Sequence, residues 1–419
     1  MTTEEITEQK QPEIPPEEGV QGWLCVIGAG LCLFCTFGFL TAIGIFQTTY
    51  EQTTLSHYSP STISWIFATQ LCLMWAPGPL FGRVTDTYGP GPILYSCSIL
   101  CVFSLCMTSL SKQYYQIFLA QGIGFGIGAG GVFTTAVVCV GQWFLRRRGL
   151  AIGIASACVS LGGVIFPIFF NRVMEVVGFY GAVRYTALFI SILLAASCFL
   201  VKARLPRKKW NPEIKWFDVK LFKEKGFALY TIGAYFVMLG LWAPYNYLPS
   251  MALEAGFSPT MSLYLISIIN STSIFGRIIP PHLGDTFGHF NVITVVAFLT
   301  GAFILCLWLP FGIHHSQPGI VVFSLLYGFV SGAYVCLLMP CAAKTGSIET
   351  LGQRFGTFQV VMAISNLVGL PTLGAILNSQ GNHDFTGLQL FAAVTVFIGT
   401  GLTIASTYLL AKAQKSWRV

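Results

Sequence analysis

The chain has 419 residues, of which 54% are hydrophobic and only 9% charged, with a net charge of +7 and a mean hydropathy of +0.70. About 25% of the residues of a soluble protein are charged, so this composition excludes a soluble globular domain, whose surface these few charges could not cover. The apolar residues come in blocks of about twenty, the length at which a helix crosses a bilayer, and the alternating ten-residue segments of a membrane β-barrel are absent.

Residues 1–20 are polar, acidic and contain prolines, which predicts a disordered cytoplasmic tail. The first apolar block is too long for a signal peptide and lacks a basic region before it, so we expect it to remain as the first helix. Twelve spans are predicted, at residues 23–47, 62–82, 93–111, 115–140, 149–171, 183–201, 226–248, 261–280, 291–311, 319–339, 354–377 and 388–411.

The basic residues collect on one side of the predicted membrane when the amino terminus is placed inside. That side receives Arg83, Arg146–Arg148, Lys202–Lys225, Arg277, Lys344, Arg354, Lys412, Lys415 and Arg418, whereas the other side receives Lys112, Arg172 and Arg184. This is the positive-inside pattern, with both termini cytoplasmic. The net charge therefore indicates topology, and we expect no nucleic-acid partner.

The basic segment at residues 202–225 separates six predicted spans from six more. The predicted units are an amino-terminal half at 21–201, this linker, a carboxyl-terminal half at 226–411 and a cytoplasmic tail at 412–419. A search for an internal repeat finds one. Gly82-Arg83 is followed by Asp86-Thr-Tyr-Gly89, and Gly276-Arg277 is followed, with five extra residues, by Asp285-Thr-Phe-Gly288.

This repeated motif predicts a conformational latch built from Gly82, Asp86, Gly89, Asp285 and Gly288. A carboxylate in a short loop can cap the positive amino terminus of a neighbouring helix, and Gly82 would let two helices approach closely. The simpler alternative is a plain turn, in which Asp and Gly serve the backbone. Because the motif occurs in both halves, we favour the latch.

Span four contains a run of glycines, Gly122-Ile-Gly-Phe-Gly-Ile-Gly-Ala-Gly-Gly131. Its formal GxGxxG, from Gly126 to Gly131, would need a preceding strand to bind a dinucleotide, and it lies inside a membrane span instead. Small residues at this density predict close helix contact. Span five repeats the pattern with Gly153, Gly162 and Gly163 among other small residues.

Arg277, in span eight, is the clearest ionisable residue within a predicted span, and such residues are candidates for function. A guanidinium that faces a cavity could bind an anionic substrate; the alternatives are that it snorkels to the membrane edge or pairs with Asp285. Pro244 predicts a break in span seven. Polar and aromatic side chains complete the candidate substrate site: Trp242, Tyr245, Asn246, Asn270 and Tyr334. For any single one of these, helix–helix packing is the simpler explanation.

The sequence does not indicate a catalytic site. The six histidines are predicted to lie in loops, so a membrane metalloenzyme would lack ligands, and no nucleophile and base converge. We therefore expect no cofactor, no metal and no catalytic residue.

Several motifs resemble those of monocarboxylate porters of the major facilitator superfamily. The residues that carry the resemblance are Arg147-Arg148-x-Leu150-Ala151-x-Gly153-x-Ala155, Gly276-Arg277 with Pro280, Tyr245–Pro249, Tyr327–Ala333 and Gly369–Gly374, and the last three look like the fungal branch. The resemblance implies an all-α major facilitator fold of twelve helices in two halves, with the substrate between them. Fungal members include carriers of organic acids and vitamins and exporters tied to secondary-metabolite clusters.

The same resemblance implies a proton-coupled site, and the sequence departs from it. In animal members the Arg of span eight pairs with an Asp one turn earlier, and span one carries a Lys. Here Arg277 matches, but the Asp position is Ser273, and span one has no Lys. The coupling residues are thus incomplete, which argues against simple proton–monocarboxylate symport.

The sequence therefore predicts a carrier that moves a small organic acid or related metabolite by alternating access. An efflux pump for a secondary metabolite is the main alternative. A nutrient sensor that does not transport is a remote alternative, because sensors with this fold signal through long cytoplasmic tails. We expect a monomer in the lipid bilayer of the plasma membrane and a substrate with anionic character.

Overall fold

The computed structural model describes residues 19–41, 43–144, 147–204, 217–346, 351–381 and 384–418, and within them every regular element is helical. Residues 1–18 of the predicted tail and residues 205–216 of the predicted linker lie outside these ranges. The helices are α1 (Val20–Thr54), α2 (Pro60–Trp75), α3 (Gly78–Tyr88), α4 (Gly91–Thr108), α5 (Tyr114–Trp143), α6 (Arg148–Leu200), α7 (Lys225–Leu241), α8 (Ala243–Glu254), α9 (Pro259–Phe287), α10 (His289–Ile313), α11 (Gln317–Lys344), α12 (Leu351–Ser379) and α13 (Thr386–Gln414).

Nine helical stretches in the described ranges are long and apolar enough to cross a membrane. The longest, α6, has 53 residues and is interrupted at Gly178, whose φ of 73° lies outside the range of a right-handed α-helix. A continuous helix of that length would measure about 80 Å, more than twice the hydrocarbon thickness, so the break divides α6 into two lengths that each suit one crossing. The count of twelve spans stays a prediction.

One predicted helix break and one predicted span end differ in outcome. The break at Pro244 is confirmed, because α7 ends at Leu241 and α8 begins at Ala243. Span eight was predicted to end at residue 280, yet α9 continues through Pro280 and Pro281 to Phe287. Proline has no N–H, so these two residues leave the carbonyls of Gly276 and Arg277 without their usual helical donors.

The glycines of span four make the close contacts that their density predicts. Gly122, Gly126 and Gly130 recur every four residues and face the α2 backbone; a methyl group on Gly130 would lie 2.8 Å from the Met74 carbonyl oxygen. Gly124, Gly128 and Gly131 face α4, where Gly128 meets the backbone and the other two meet the Ser104 and Cys97 side chains. Two close interfaces therefore run along one helix, an arrangement that small residues permit.

Helices of the first and second parts of the chain also meet through glycines. A methyl group on Gly153 of α6 would lie 2.5 Å from the Arg277 carbonyl oxygen of α9, one of the two carbonyls freed by proline. Gly149 and Gly163 contact α9 similarly, at Pro281 and Asn270. Elsewhere, α12 packs on α2 and α3. The division into halves at 21–201 and 226–411 stays a prediction.

Candidate functional site

A cavity of about 360 Å³ lies between α1, α2, α5 and α6 on one side and α7, α8, α9, α11 and α12 on the other. Of its lining residues, Arg277, Cys336 and Met339 are under 10% exposed, whereas Asn246 and Ser250 are exposed. The cavity is therefore closed near Arg277 and open near Asn246. We call these its closed end and its open end.

Arg277 lies in the wall of this cavity and is only 7% exposed. Its Nε donates to the Ser273 hydroxyl at 3.3 Å, and the Ser160 hydroxyl donates to the same oxygen at 3.0 Å. Ser160 belongs to α6 and Ser273 to α9, so this short chain of hydrogen bonds crosses between the two parts of the molecule. Arg277 is thus held in place from its own helix and, through Ser273, from α6.

The positive charge of Arg277 has no ion-pair partner among the described residues. The alternative of pairing with Asp285 does not hold, because that carboxylate bonds elsewhere, as described below. Snorkelling does not describe it either, since the side chain is buried in the cavity wall. An unpaired buried charge is costly, and in a membrane protein it makes its residue a candidate for function.

Five of the six predicted substrate-site residues line the cavity: Arg277, Trp242, Tyr245, Asn246 and Asn270. The Tyr245 hydroxyl lies 3.0 Å from the Ser331 hydroxyl, and its ring packs on Trp242 with ring centroids 5.4 Å apart. The Asn246 amide donates back to the Trp242 carbonyl at 2.8 Å, which satisfies a backbone group at the α7–α8 break.

Tyr334, the sixth candidate, is fully buried and is not among the residues that line the cavity. Its hydroxyl finds no hydrogen-bond partner in the described part of the chain. The residues of α11 that line the cavity are Val335, Cys336 and Met339.

Aromatic side chains form one wall of the cavity. Phe37, Trp75 and Phe133, from α1, α2 and α5, contact one another with ring centroids 4.9–5.9 Å apart. Trp242 lines the opposite part of the cavity. Such walls suit the apolar or aromatic body of a ligand, since bound organic molecules are mostly surrounded by apolar side chains with a few polar groups.

The sequence analysis missed a carboxylate in the cavity, that of Glu51. Span one was predicted to end at residue 47, but α1 continues to Thr54 and brings Glu51 and Gln47 into the cavity wall. The Gln47 amide donates to the Glu51 carboxylate at 3.0 Å. The extension is anchored by Tyr50, which is buried and donates to the Gln121 side chain at 2.6 Å.

Asp285 lies beyond the closed end of the cavity and joins α9 to α6. Its two carboxylate oxygens accept hydrogen bonds from the backbone N–H groups of Gly149 and Leu150 at 3.1 and 3.2 Å. These N–H groups belong to the first turn of α6, where the helix dipole favours an anion. The carboxylate lies on the last turn of α9, not in a loop, and His289 Nε2 is 3.2 Å from it. The helix cap predicted for the second motif copy is present.

The first motif copy differs from the second. Asp86 also lies on a last helical turn, that of α3, and accepts from the Gln142 amide at 3.4 Å. Gly89 and Gly288 end their helices with φ of 85° and 95°, conformations that favour glycine. The predicted close approach at Gly82 is wrong: a methyl group there would make ordinary contact, 3.8 Å from Thr134. Its counterpart Gly276 instead packs directly on the Phe329 carbonyl.

Among the described residues, no three His, Cys, Asp or Glu side chains group as metal ligands. The prediction that every histidine lies in a loop is wrong, because His282 lies within α9 and His289 begins α10. His289 is buried beside Asp285, so it belongs to the helix cap described above.

Comparison with known proteins identifies the family. Residues 29–370 match the family described as Major Facilitator Superfamily. The chain is 40% identical over 400 residues to the MFS-type transporter hasB of Aspergillus fumigatus, covering 92% of this chain and 89% of that protein. It is 36% identical over 398 residues to the MFS transporter asaE of Aspergillus flavus, covering 95% of this chain and 89% of that protein. It is also 36% identical over 402 residues to the Fujikurins efflux protein of Gibberella fujikuroi, covering 95% of this chain and 84% of that protein.

A solved structure shares the fold. The human organic anion transporter MFSD10 (TETRAN) superposes with a TM-score of 0.70 at 18% identity, covering 95% of this chain and all of that one. At this identity the likeness concerns the fold alone. Together with the family match and the helices that can cross a membrane, it establishes that the chain belongs to the major facilitator superfamily and is an integral membrane transporter.

Proposed function

We propose that this transporter exports a secondary metabolite that carries an acidic group, and that Arg277 binds that group. The observation that carries the proposal is the buried guanidinium of Arg277, which lines the cavity without an ion-pair partner among the described residues. A planar guanidinium binds a carboxylate through two parallel hydrogen bonds. Trp242 and Tyr245 line the cavity on the same side and would pack against the substrate.

Relatives support export. One is named for the efflux of fujikurins, and the Aspyridones efflux protein apdF of Emericella nidulans is 34% identical over 394 residues. Uptake of a small organic acid is the second candidate. It is favoured by the motifs similar to monocarboxylate porters, and membership of that branch is part of this proposal. Direction follows from whichever gradient is coupled to the carrier.

The transport cycle proposed here is alternating access between two six-helix halves. In the present structure the cavity is closed on the side of Asp285 and open on the side of Asn246. With the basic loops in the cytoplasm, this would be a state that opens away from the cytoplasm. Asp285 would then hold the cytoplasmic side shut, and Asp86, Gly89 and Gly288 would belong to the same latch. We place the protein in the plasma membrane as a monomer, with both termini cytoplasmic.

The role of Arg277 is tested by replacing it with Gln and profiling metabolites in the medium and cells of a strain that lacks the gene, complemented with each variant. Losing one partner of a buried charge pair costs about 2–5 kcal/mol, so Arg277→Gln should lower export at least about thirtyfold. Arg277→Lys keeps the charge and should retain part of the activity.

The matched control is Arg184→Gln, which removes an exposed arginine whose side chain donates to Ser109 outside the cavity. Its export should equal that of the wild type. Normal export by an Arg277→Gln protein that is present in the membrane at wild-type levels would exclude the proposed role.

A further inference from the structure

The cavity contains a second charged side chain, Glu51, on the opposite wall from Arg277. Glu51 is half-buried, lines the cavity on α1 and is oriented by Gln47, which also lines it. Like Arg277, it has no ion-pair partner among the described residues. The nearby basic residue Arg172 is exposed and lies 3.6 Å from Glu175. Among the described residues that line it, the cavity thus has one charge of each sign without an ion-pair partner.

Helix contacts give the distance between these two charges along the cavity. The Arg277 guanidinium reaches back to Ser273, which bonds Ser160 of α6. Two residues further along α6, Gly162 packs on Gly38 of α1. The Glu51 carboxylate reaches back to Gln47, nine residues beyond Gly38. A rise of 1.5 Å per residue, applied from Ser160 to Gly162 and from Gly38 to Gln47, gives a separation of about 16 Å along the cavity axis, with Glu51 toward the open end.

The surface between the charges changes from apolar to polar. Phe37, Trp75 and Phe133 form the aromatic wall close to the Arg277 end, since Phe37 precedes Gly38 by one residue. Asn171 and Asn246 line the open end beside Glu51. The two charges do not form an ion pair, because about 16 Å is far beyond the N···O distance of roughly 4 Å at which one forms. Each is left available for a ligand.

We propose that the substrate is elongated and bipolar, with an acidic group at Arg277, an apolar body along the aromatic wall, and an amine or other N–H donor group at Glu51. This inference rests on the function proposed above and specifies its substrate class. Glu51 would select, among acids of similar size, those that carry a hydrogen-bond donor at the far end. A charged acceptor binds such a donor more strongly than a neutral one does.

The test uses purified protein in lipid nanodiscs and two probes, 12-aminododecanoate and dodecanoate, with binding measured by calorimetry and corrected for partition into the lipid. Both probes have the same acid and chain, and only the first has a terminal amine. The wild type should bind 12-aminododecanoate about tenfold more tightly, the effect of one charge-assisted hydrogen bond. The shorter 6-aminohexanoate cannot reach both charges and should bind no better than hexanoate.

Two variants separate this inference from the proposed function. Glu51→Gln should abolish the preference for the amine and leave the binding of dodecanoate unchanged, whereas Arg277→Gln should weaken both probes. Glu175→Gln, an exposed acid outside the cavity wall, should behave as the wild type, and Glu51→Asp should retain part of the preference.

Absence of any preference in the wild type, a preference that survives in Glu51→Gln, or failure of the wild type to bind either probe would overturn the inference. If Arg277→Gln bound both probes normally, the proposed function would fail instead. The loss of preference in Glu51→Gln together with weakened binding in Arg277→Gln supports both.

Discussion

Replacing Asp285 with Asn should shift the carrier toward the state in which its closed end is open. The carboxylate accepts from two N–H groups in the first turn of α6, at 3.1 and 3.2 Å, and its side chain is only 10% exposed. An anion at a partly buried helix amino terminus contributes about 1–2 kcal/mol. Asn keeps the shape and one acceptor oxygen but removes the charge, so the ratio of open to closed molecules should rise about 5- to 30-fold.

The ratio can be measured by electron–electron double resonance between spin labels at Tyr88→Cys and Lys344→Cys, in a protein whose accessible native cysteines are replaced by serine. Tyr88 ends α3, Lys344 ends α11, and both are exposed. Opening should increase the population at long distance. The control is Asp384→Asn, which removes a carboxylate that accepts from the Thr386 N–H at 2.8 Å, at the start of α13 and away from the contact between α6 and α9.

Asp384→Asn should leave the distance distribution unchanged. An Asp285→Asn protein with the wild-type distribution, or an equal shift in both variants, would show that the cap at α6 does not hold the closed end shut.

Two further predictions concern α9. Gly153→Ala should lower the melting temperature, because the added methyl would lie 2.5 Å from the Arg277 carbonyl oxygen and overpacking costs about 1–3 kcal/mol. The control, Gly141→Ala, has no atom within 4 Å of the added methyl and should not lower it. Equal melting temperatures of the two variants would contradict the close contact at Gly153. Ser273→Asp should place a carboxylate beside Arg277 that competes with the carboxylate of dodecanoate. Dodecanoate should therefore bind more weakly at pH 7 than it binds the wild type, whereas equally tight binding would contradict an unpaired Arg277.

Much of the fold follows from local properties of the chain. Blocks of apolar residues locate the helices because a bilayer requires about twenty such residues per crossing. Pro244 breaks its helix as predicted, since a missing N–H acts on the nearest turn whatever the surroundings. Five of the six candidates for the cavity wall were found because a polar or aromatic residue on an otherwise apolar helix is conspicuous.

The errors come from contacts between distant segments. Glu51 was missed because the polar stretch after residue 47 resembles a loop, and only the bond from Tyr50 to Gln121 shows why the helix continues. Gly82 and Gly276 occupy equivalent motif positions, yet only the second meets a carbonyl of a neighbouring helix. Tyr334 could not be assigned a direction, because α11 is buried almost all round and its periodicity does not indicate which face meets the cavity.

Arg277 and Asp285 lie on one uninterrupted helix, eight residues or about 12 Å apart. Both positions lie against the same short stretch of α6, Arg277 opposite Gly153 and Asp285 opposite Gly149. The helix continues through Pro280 and Pro281, so no loop lies between the group proposed to sense the substrate and the group proposed to restrain opening. Any rotation of α9 about its contact with Gly149 and Gly153 that displaces Arg277 also displaces Asp285. Occupancy of the cavity and release of the restraint would therefore be coupled.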